Sequence, residues 1–477
     1  MKDWNEYFKG KKITVMRIGL LGRGVGDAAF LAECGAQVLV VDDAPQAVMQ
    51  PSVDALSQYD NVTFKFGPYD TADFTAADFV LVGAGTPLDS PELAAARVAG
   101  VCLKQSAAWF AELSKIPVIG VTGTRGKSTV THMIHHMLGQ VTGEDILLGG
   151  NVRGLSNLQL LKQVQPESLC VMELDSWQLQ GWGWSQMSPQ VAVFTNFMED
   201  HLNYYCRTSE GVSQAGLDSS ERGTGASSAY QTGGMTKEEG MELYFADKAN
   251  IFRSQEESGV FVTTPPVFER AKTLRGVTLG QEVVLADSST IPEDALLAMP
   301  GEHNRLNAAL AVEALKALSL TEEEIWPALA TFPGVEGRLQ YVGAHDQIAI
   351  YNDNNATTPT AVVRALEAVG DTETKNVILI AGGADKNIDA TNLVEAIPKY
   401  CKKVILLAGT GTDTIKDKIE GVQVVDDMEA AVTAGLAAGA VGDILLLSPG
   451  YASFGMYKNE YERNDAFLEA VNFNDDE

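Results

Sequence analysis

Residues 116–138 read IPVIGVTGTRGKSTVTHMIHHML. An apolar run, a glycine-rich turn and a helical pattern follow one another without a gap, and that order decides the fold class. Gly123 and Gly126 let backbone N–H groups wrap phosphate oxygens, with Thr124 between them, and the start of the next helix adds its positive end. Lys127 is placed to reach terminal phosphates, and the hydroxyl of Ser128 or Thr129 to bind Mg²⁺. The strict GxxxxGK[ST] spacing is not met: position 121 is Val, and the first glycine, Gly120, sits one residue early. Strand, glycines and GKST together still predict a nucleotide-phosphate turn.

Outward from this turn, short apolar runs alternate with helical patterns, which predicts βα units and parallel sheets. Upstream lie ITVMRIGLLGRG, QVLVVDD at 37–43 and DFVLVGAG at 78–85, then a helical stretch over 91–114. Downstream lie SLCVMEL at 168–174, VAVFTNF at 191–197 and a helical LNAALAVEALKAL at 306–318. A final set comprises QIAIYND at 347–353, NVILIAGG at 376–383, KVILLAG at 403–409 and DILLLSPG at 443–450. Pro117 and the glycines of TFPGVEGR at 331–338 mark two boundaries, predicting α/β domains over 1–115, 116–332 and 333–477. Residues 206–240 are rich in Gly, Ser, Thr and Glu and poor in large aliphatics, which predicts a flexible insertion in the second domain.

With 477 residues, about three domains are expected. Asp and Glu number 63 against 35 Lys and Arg, a net charge of -28. That balance disfavours nucleic-acid and anionic-membrane surfaces, yet leaves room for a local cationic pocket. Five scattered cysteines without CxxC spacing argue against a disulfide scaffold or zinc ribbon and fit a reducing compartment. MKDWNEYFKG is too polar for a signal peptide, and no run of about 18 apolar residues exists to span a bilayer. A cytoplasmic protein is expected.

Two clusters follow strands, where α/β sheets gather ligand groups. MELDSWQL at 172–179 places Glu173 at a strand end, as a carboxylate for Mg²⁺ or as a solvated terminus. NFMEDHLNYY at 196–205 brings Asn196, Glu199, Asp200 and His201 together. Lys248, in FADKANIF, lies on a helical pattern and reads by itself as any surface lysine.

The order of motifs resembles that of the Mur ligases: GVTGTRGKST, MELDSWQL, TNFMEDHLNYY, FADKANIF, MPGEHNRLNAALA, FPGVEGRLQ, YNDNNATTPTA, AGGADKN and LLSPGYASFGMYKNEYERN. The last of these, with TPLDSPEL at 86–93, is similar to the D-glutamate-adding branch of the family. The resemblance covers about residues 15–470 outside the 206–240 stretch. It implies a Rossmann-like N-terminal domain for a UDP-sugar, a central P-loop ATPase domain and a C-terminal Rossmann-like domain for an amino acid. It further implies ATP and Mg²⁺ as cofactors, UDP-N-acetylmuramoyl-L-alanine and D-glutamate as substrates, a monomer, and a task in peptidoglycan precursor synthesis.

Residue by residue, the resemblance makes Lys127, His201 and Lys248 catalytic. It assigns Ser128, Glu173, His201 and Lys248 to the metal, with Lys248 as the lysine that many Mur ligases carbamylate. Asn304 and Asn307 match adenine-pocket positions, and Arg338 and Asp353 match nucleotide contacts. Gly22 and Gly24 of the fingerprint GRGVGD, with Asn151 in GGNVRG, fall to the UDP substrate. Thr357, Lys386 and Ser453 match positions that grip D-glutamate.

Several positions depart from the family pattern. Gly26 and Asp27 stand where the fingerprint carries a hydroxyl and a glycine, and an aspartate beside a diphosphate would repel it. Asp42 and Asp43, about twenty residues on, raise NAD as an alternative, which the non-glycine sixth position opposes. Arg125 replaces Asn, Asn355 replaces Lys, and Glu460 replaces an aromatic. Two other readings remain: a Mur-fold ligase with another acceptor, akin to folylpolyglutamate synthase, and a nucleotide-binding Mur-fold protein that has lost ligation.

Overall fold

The computed structural model describes residues 3–20, 22–206, 236–274, 279–293, 295, 297–386 and 388–472. Seventeen strands, β1 to β17 in chain order, form three sheets among them. The first sheet contains β1 (Lys12–Met16), β2 (Gln37–Asp42), β3 (Val62–Phe66), β4 (Phe79–Val82) and β5 (Cys102–Lys104). All pairings are parallel, in the order β3-β2-β1-β4-β5. The order reverses between β1 and β4, which opens a crevice at their carboxyl ends where ligands of such sheets bind.

The second sheet contains β6 (Val118–Thr122), β7 (Leu147–Gly150), β8 (Cys170–Glu173), β9 (Val191–Phe194), β10 (Val260–Thr263) and β11 (Glu282–Leu285). It is also wholly parallel, ordered β11-β10-β9-β6-β8-β7. Strands β6, β8, β9 and β10 are buried at every position, as expected where helices cover both faces. The phosphate turn therefore leaves the middle of the sheet, between the ends of β8 and β9.

The third sheet contains β12 (Gln340–His345), β13 (Ile348–Asn352), β14 (Val377–Gly382), β15 (Cys401–Leu407), β16 (Gln423–Val425) and β17 (Ile444–Leu447). Its order is β12-β13-β17-β14-β15-β16, with β12 antiparallel to β13 at one edge. The chain divides into two compact units. One holds the first two sheets, up to Ile291, together with Leu306–Ala328; the other holds Pro292–Arg305 and the residues from Leu329 onward, including the third sheet.

Two expectations need correction. The stretch 91–114 is not one helix but two, Pro91–Val98 and Ser106–Ser114, separated by β5. Gly100, at φ +77°, ends the first helix in the left-handed region that glycine tolerates, and the chain then pairs with β4. The supposed insertion also stops short of 240. Thr236 accepts from the Glu239 N–H while Glu239 caps the Thr236 N–H, and this capping box starts the helix Lys237–Arg253. Residues 207–235 of the insertion lie outside the described residues. Among those described, no helix is long and apolar enough to cross a membrane, and the five cysteines form no disulfide.

Candidate active site

The turn between β6 and the helix Lys127–Thr142 is held by steric necessity at both glycines. A Cβ on Gly123 (φ +146°) would lie 1.9 Å from Thr195 Oγ1, and one on Gly126 (φ +82°) 2.5 Å from Asn307 Oδ1. Lys127 folds back over the turn and donates from Nζ to the carbonyls of Gly123 (3.1 Å) and Thr124 (3.2 Å). Ser128 and Thr129 follow in the first turn of that helix, at the positive end of its dipole.

The segment after β9 clamps this turn, a role the sequence left unassigned. Thr195 Oγ1 and Asn196 Nδ2 both donate to the Arg125 carbonyl, at 2.5 and 3.0 Å. Asn196 Oδ1 accepts from the Arg125 N–H (2.9 Å), and the Asn196 carbonyl accepts from the Thr124 N–H (2.9 Å). Thr124 Oγ1 in turn bonds to the backbone of Met198. Arg125 itself turns outward to pair with Asp200 at 3.1 Å. Its position just past a strand was the available signal for Asn196.

Lys248 is no surface lysine. It is 1% exposed, on the inward face of the helix Lys237–Arg253. Its Nζ donates to the Gly123 carbonyl at 2.8 Å and to Thr122 Oγ1 at 3.4 Å, and lies 4.9 Å from the centre of the Tyr244 ring. Burial, and then the neighbouring charge of Lys127, push its pKa well below the ordinary lysine value, against the opposing pull of Asp175, Asp200 and Glu173. His201, at φ +53°, caps a short helix, and its ring packs against Trp177 (4.8 Å) and Tyr244 (5.7 Å). Burial lowers the His201 pKa; Asp200 raises it, and Lys248 and Lys127 lower it further. The net lowering favours the neutral imidazole, the form that can ligate a metal.

Glu173 ends β8 and is buried. Asn151 is fixed on it twice, by its N–H to the Glu173 carbonyl (2.7 Å) and by Nδ2 to Oε1 (3.4 Å). Among the described residues no group of three or more His, Cys, Asp or Glu is placed to hold a metal. The oxygen donors among the candidates are the Glu173 carboxylate and the Ser128 hydroxyl. They fit a hard cation such as Mg²⁺, which is held by one or two carboxylates and otherwise by phosphate and water oxygens.

The fingerprint of the first sheet shows why its unusual residues are present. Gly22 (φ +84°) caps the helix Arg23–Glu33. A Cβ on Gly24 would lie 2.1 Å from the Ile18 carbonyl oxygen, so only glycine allows that approach. Gly26 would meet Ser156 at 2.6 Å, and Asp27 points the same way. Asp27 Oδ1 accepts from Ser156 Oγ (2.6 Å) and from the Leu158 N–H (3.0 Å), and burial raises its pKa. The aspartate expected to repel a diphosphate is therefore enclosed between the first two sheets.

In the other unit, Thr357, Ser453 and Lys386 follow β13, β17 and β14, which are adjacent in the third sheet. Lys386 Nζ donates to Thr357 Oγ1 at 3.4 Å, and Ser453 is buried. Asp353 is also buried. It accepts from Ser448 Oγ (2.8 Å) and the Leu339 N–H (3.0 Å), and burial pushes its pKa up to about 7. It thereby fixes the residue after Arg338. Asn355, in the place of the family lysine, donates from Nδ2 to the Glu336 carbonyl (3.3 Å). Arg463, 1% exposed and unremarked in the sequence, donates to Asn354 Oδ1, the Asn354 carbonyl and the Tyr451 carbonyl. It ties together the loops that carry Thr357 and Ser453. Asn304, by contrast, donates to the Pro300 carbonyl (2.9 Å).

Two family signatures match: the Mur ligase middle domain over residues 121–217 and the Mur ligase glutamate ligase domain over 337–450. The chain belongs to the Mur ligase family. Among its relatives, the UDP-N-acetylmuramoylalanine–D-glutamate ligase of Roseiflexus sp. (strain RS-1) is 32% identical over 477 residues, covering 97% of this chain and 98% of the relative. The ligase of the same name from Geobacillus kaustophilus (strain HTA426) is 31% identical, covering 98% of each. The fold is shared with the Thermotoga maritima MurF ligase solved with ADP (TM-score 0.55, 14% identity, 98% of each chain). It is shared also with UDP-N-acetylmuramate-alanine ligase MurC of Thermotoga maritima (TM-score 0.54, 17% identity, 96% of this chain and 98% of that one).

Proposed function

We propose that the protein is an ATP-dependent ligase that joins D-glutamate to UDP-N-acetylmuramoyl-L-alanine in peptidoglycan precursor synthesis. The observation that carries this reading is the pairing of Lys386 with Thr357, at the ends of adjacent strands of the sheet whose β17 leads to buried Ser453, on a chain whose phosphate turn is closed by Lys127. A dicarboxylic amino acid needs a cation for one carboxylate and hydroxyl or backbone donors for the other. Lys386 supplies the first, and Thr357 with Ser453 the second.

The reaction follows from elementary chemistry. A carboxylate is a poor acylating agent, so its oxygen first attacks the γ-phosphorus of ATP and ADP departs. The amine of D-glutamate then attacks the acyl-phosphate carbon, and the tetrahedral intermediate collapses to an amide and inorganic phosphate. Lys127 neutralises phosphate charge in both steps. Ser128, Glu173, His201 and a carbamylated Lys248 would hold Mg²⁺, which when bound screens the same charge. Arg338, Asn304 and Asn307 serve the nucleotide, with Asp353 setting the backbone beside Arg338. Gly22, Gly24 and Asn151 serve the UDP substrate. Three domains bounded near residues 115 and 333, acting as a cytoplasmic monomer, complete the proposal.

Phosphate release with ATP and UDP-N-acetylmuramoyl-L-alanine, screened against D- and L-amino acids, tests it. Release that requires D-glutamate supports the reading. Preference for a neutral or basic amino acid, or for a pterin acceptor, overturns it, and ATP binding without any release points to a protein that has lost ligation.

A further inference from the structure

The last described helix, Glu460–Ala470, starts on a double cap. The Asn459 side chain accepts from the Glu462 N–H (2.9 Å), and Glu462 Oε2 accepts from the Lys458 N–H (2.6 Å). Arg463, Asn464, Phe467 and Val471 recur at the spacing of one helical face, and all four are buried. Phe467 and Val471 belong to the apolar core that includes Ile350 of β13 and Leu447 of β17. The two polar members come one turn earlier on that face, at 1% and 3% exposure. Packing alone would accept aliphatic residues there, and a polar side chain costs free energy at such a place unless it is hydrogen-bonded.

The bonds of these two neighbours diverge. Arg463 donates from Nε to Asn354 Oδ1 (2.8 Å), from Nη2 to the Asn354 carbonyl (3.0 Å) and from Nη1 to the Tyr451 carbonyl (3.1 Å). Asn354 stands three residues before Thr357, and Tyr451 two before Ser453. Asn464 serves a different segment. Its Oδ1 accepts from Asn352 Nδ2 (2.9 Å), and its Nδ2 donates to Glu336 Oε1 (2.8 Å). Glu336 lies in the turn over 335–338, closed by the Arg338 N–H on the Val335 carbonyl (3.0 Å). A Cβ on Gly337 (φ +69°) would come within 3.3 Å of Asn464 Oδ1, so this turn rests directly on the amide. We propose that Arg463 and Asn464 are positioning residues with separate tasks: Arg463 sets the loops that receive the amino acid, and Asn464 sets the turn that carries Arg338 to the nucleotide. One helix thereby registers the two sites on each other. This rests on the ligase reading, which gives Thr357 and Ser453 to D-glutamate and Arg338 to ATP.

Two variants of adjacent residues are compared in the full-length protein, Arg463→Lys and Asn464→Ala. Initial rates give KM for ATP and for D-glutamate, and calorimetry gives the affinity for a non-hydrolysable ATP analogue. Arg463→Lys keeps the charge but not the three-way grip, so KM for D-glutamate rises roughly tenfold, while KM for ATP and analogue affinity stay within about twofold of wild type. Asn464→Ala gives the opposite split: ATP KM and analogue binding weaken roughly fivefold or more, and KM for D-glutamate holds. Glu336→Ala, on an exposed side chain, removes the same bond without opening a cavity, and it reproduces the Asn464→Ala signature, whereas Glu336→Gln, which keeps the acceptor, restores wild-type values. Asn354→Ala likewise stands in for Arg463→Lys should that variant melt below the assay temperature. Equal changes in both constants for both variants, or no change in either, overturn the proposal, since a helix that merely stabilises the domain predicts no split. Wild type that releases no phosphate with D-glutamate sinks the ligase reading on its own. The positioning roles are then judged by analogue binding, where Asn464→Ala weaker than wild type with Arg463→Lys equal to it upholds them and any other pattern does not.

Discussion

Lys127 and Lys248 donate to one acceptor, the carbonyl oxygen of Gly123, at 3.1 and 2.8 Å. Two ammonium groups on a single oxygen repel each other, and burial makes the repulsion costly. The arrangement is relieved when Lys127 swings to a phosphate, when Lys248 loses its charge, or both.

Lys127→Ala should lower turnover by about a hundredfold or more, the scale for removing a preorganised charge from a developing one. Steady-state phosphate release at saturating ATP measures this, and near-normal turnover would remove Lys127 from the reaction.

Burial and the charge of Lys127 favour the uncharged amine of Lys248 over the ammonium, and the uncharged amine is the form that reacts with carbon dioxide, so Lys248 should work as a carbamate. Lys248→Ala should be inactive and partly rescued by short carboxylates, and wild-type activity should fall in carbonate-depleted buffer. Rescue by short alkylamines in place of carboxylates would show that the free amine is the working group.

Asn196→Ala removes both side-chain bonds to Arg125 while leaving the backbone bond to Thr124. At about 1 kcal/mol per bond, KM for ATP should rise roughly five- to thirtyfold with little change in KM for D-glutamate. An equal rise for both substrates would indicate general misfolding and not a loosened phosphate turn.

Asp353 has a folded-state pKa of about 7 against 3.8 for the free side chain. A raised pKa means that the native state binds the extra proton. The stability it contributes is complete below about pH 4 and is lost as pH rises through about 7. Asp353→Asn can keep the bonds to Ser448 and Leu339 without ionising, so wild type should lose up to a few kcal/mol relative to the variant across that window. Urea denaturation of both proteins from pH 5 to 8 reads the difference, and a gap independent of pH would show that this carboxyl does not titrate there.

Lys386→Ala should raise KM for D-glutamate by two orders of magnitude or more, because a carboxylate then loses its cation. KM for ATP should hold. A variant with an unchanged D-glutamate KM would place the amino acid elsewhere.

The strands that could be read from sequence were the buried ones. VIGVT, CVME, VILIAG and ILLL carry uninterrupted apolar runs because helices cover both faces of their sheets. Strands β3, β5, β11, β12 and β16 escaped notice as edge strands, largely half exposed and without that pattern, and the four-residue β7 and β10 escaped it through shortness, β10 although buried throughout. Motif order likewise singled out Lys127, Glu173 and Lys386 as candidates, but only Lys127 contacts its neighbours in sequence, Gly123 and Thr124; Asn151 on Glu173 and Thr357 beside Lys386 lie 22 and 29 residues away. It could not show that Lys248 is buried 125 residues away from the carbonyl it touches, nor that Arg463 braces two loops. Asp27 was misread for the same reason: its partners Ser156 and Leu158 lie about 130 residues downstream.

The seating of Asp27 also bears on how this chain can be recombined. Exchange of the first sheet for that of a relative with a hydroxyl and a glycine at positions 26 and 27 would leave Ser156 and the Leu158 N–H without their acceptor and press a new side chain onto Ser156. Grafts cut between the two sheets therefore carry a built-in incompatibility, and a viable hybrid has to exchange 26, 27 and 156–158 together.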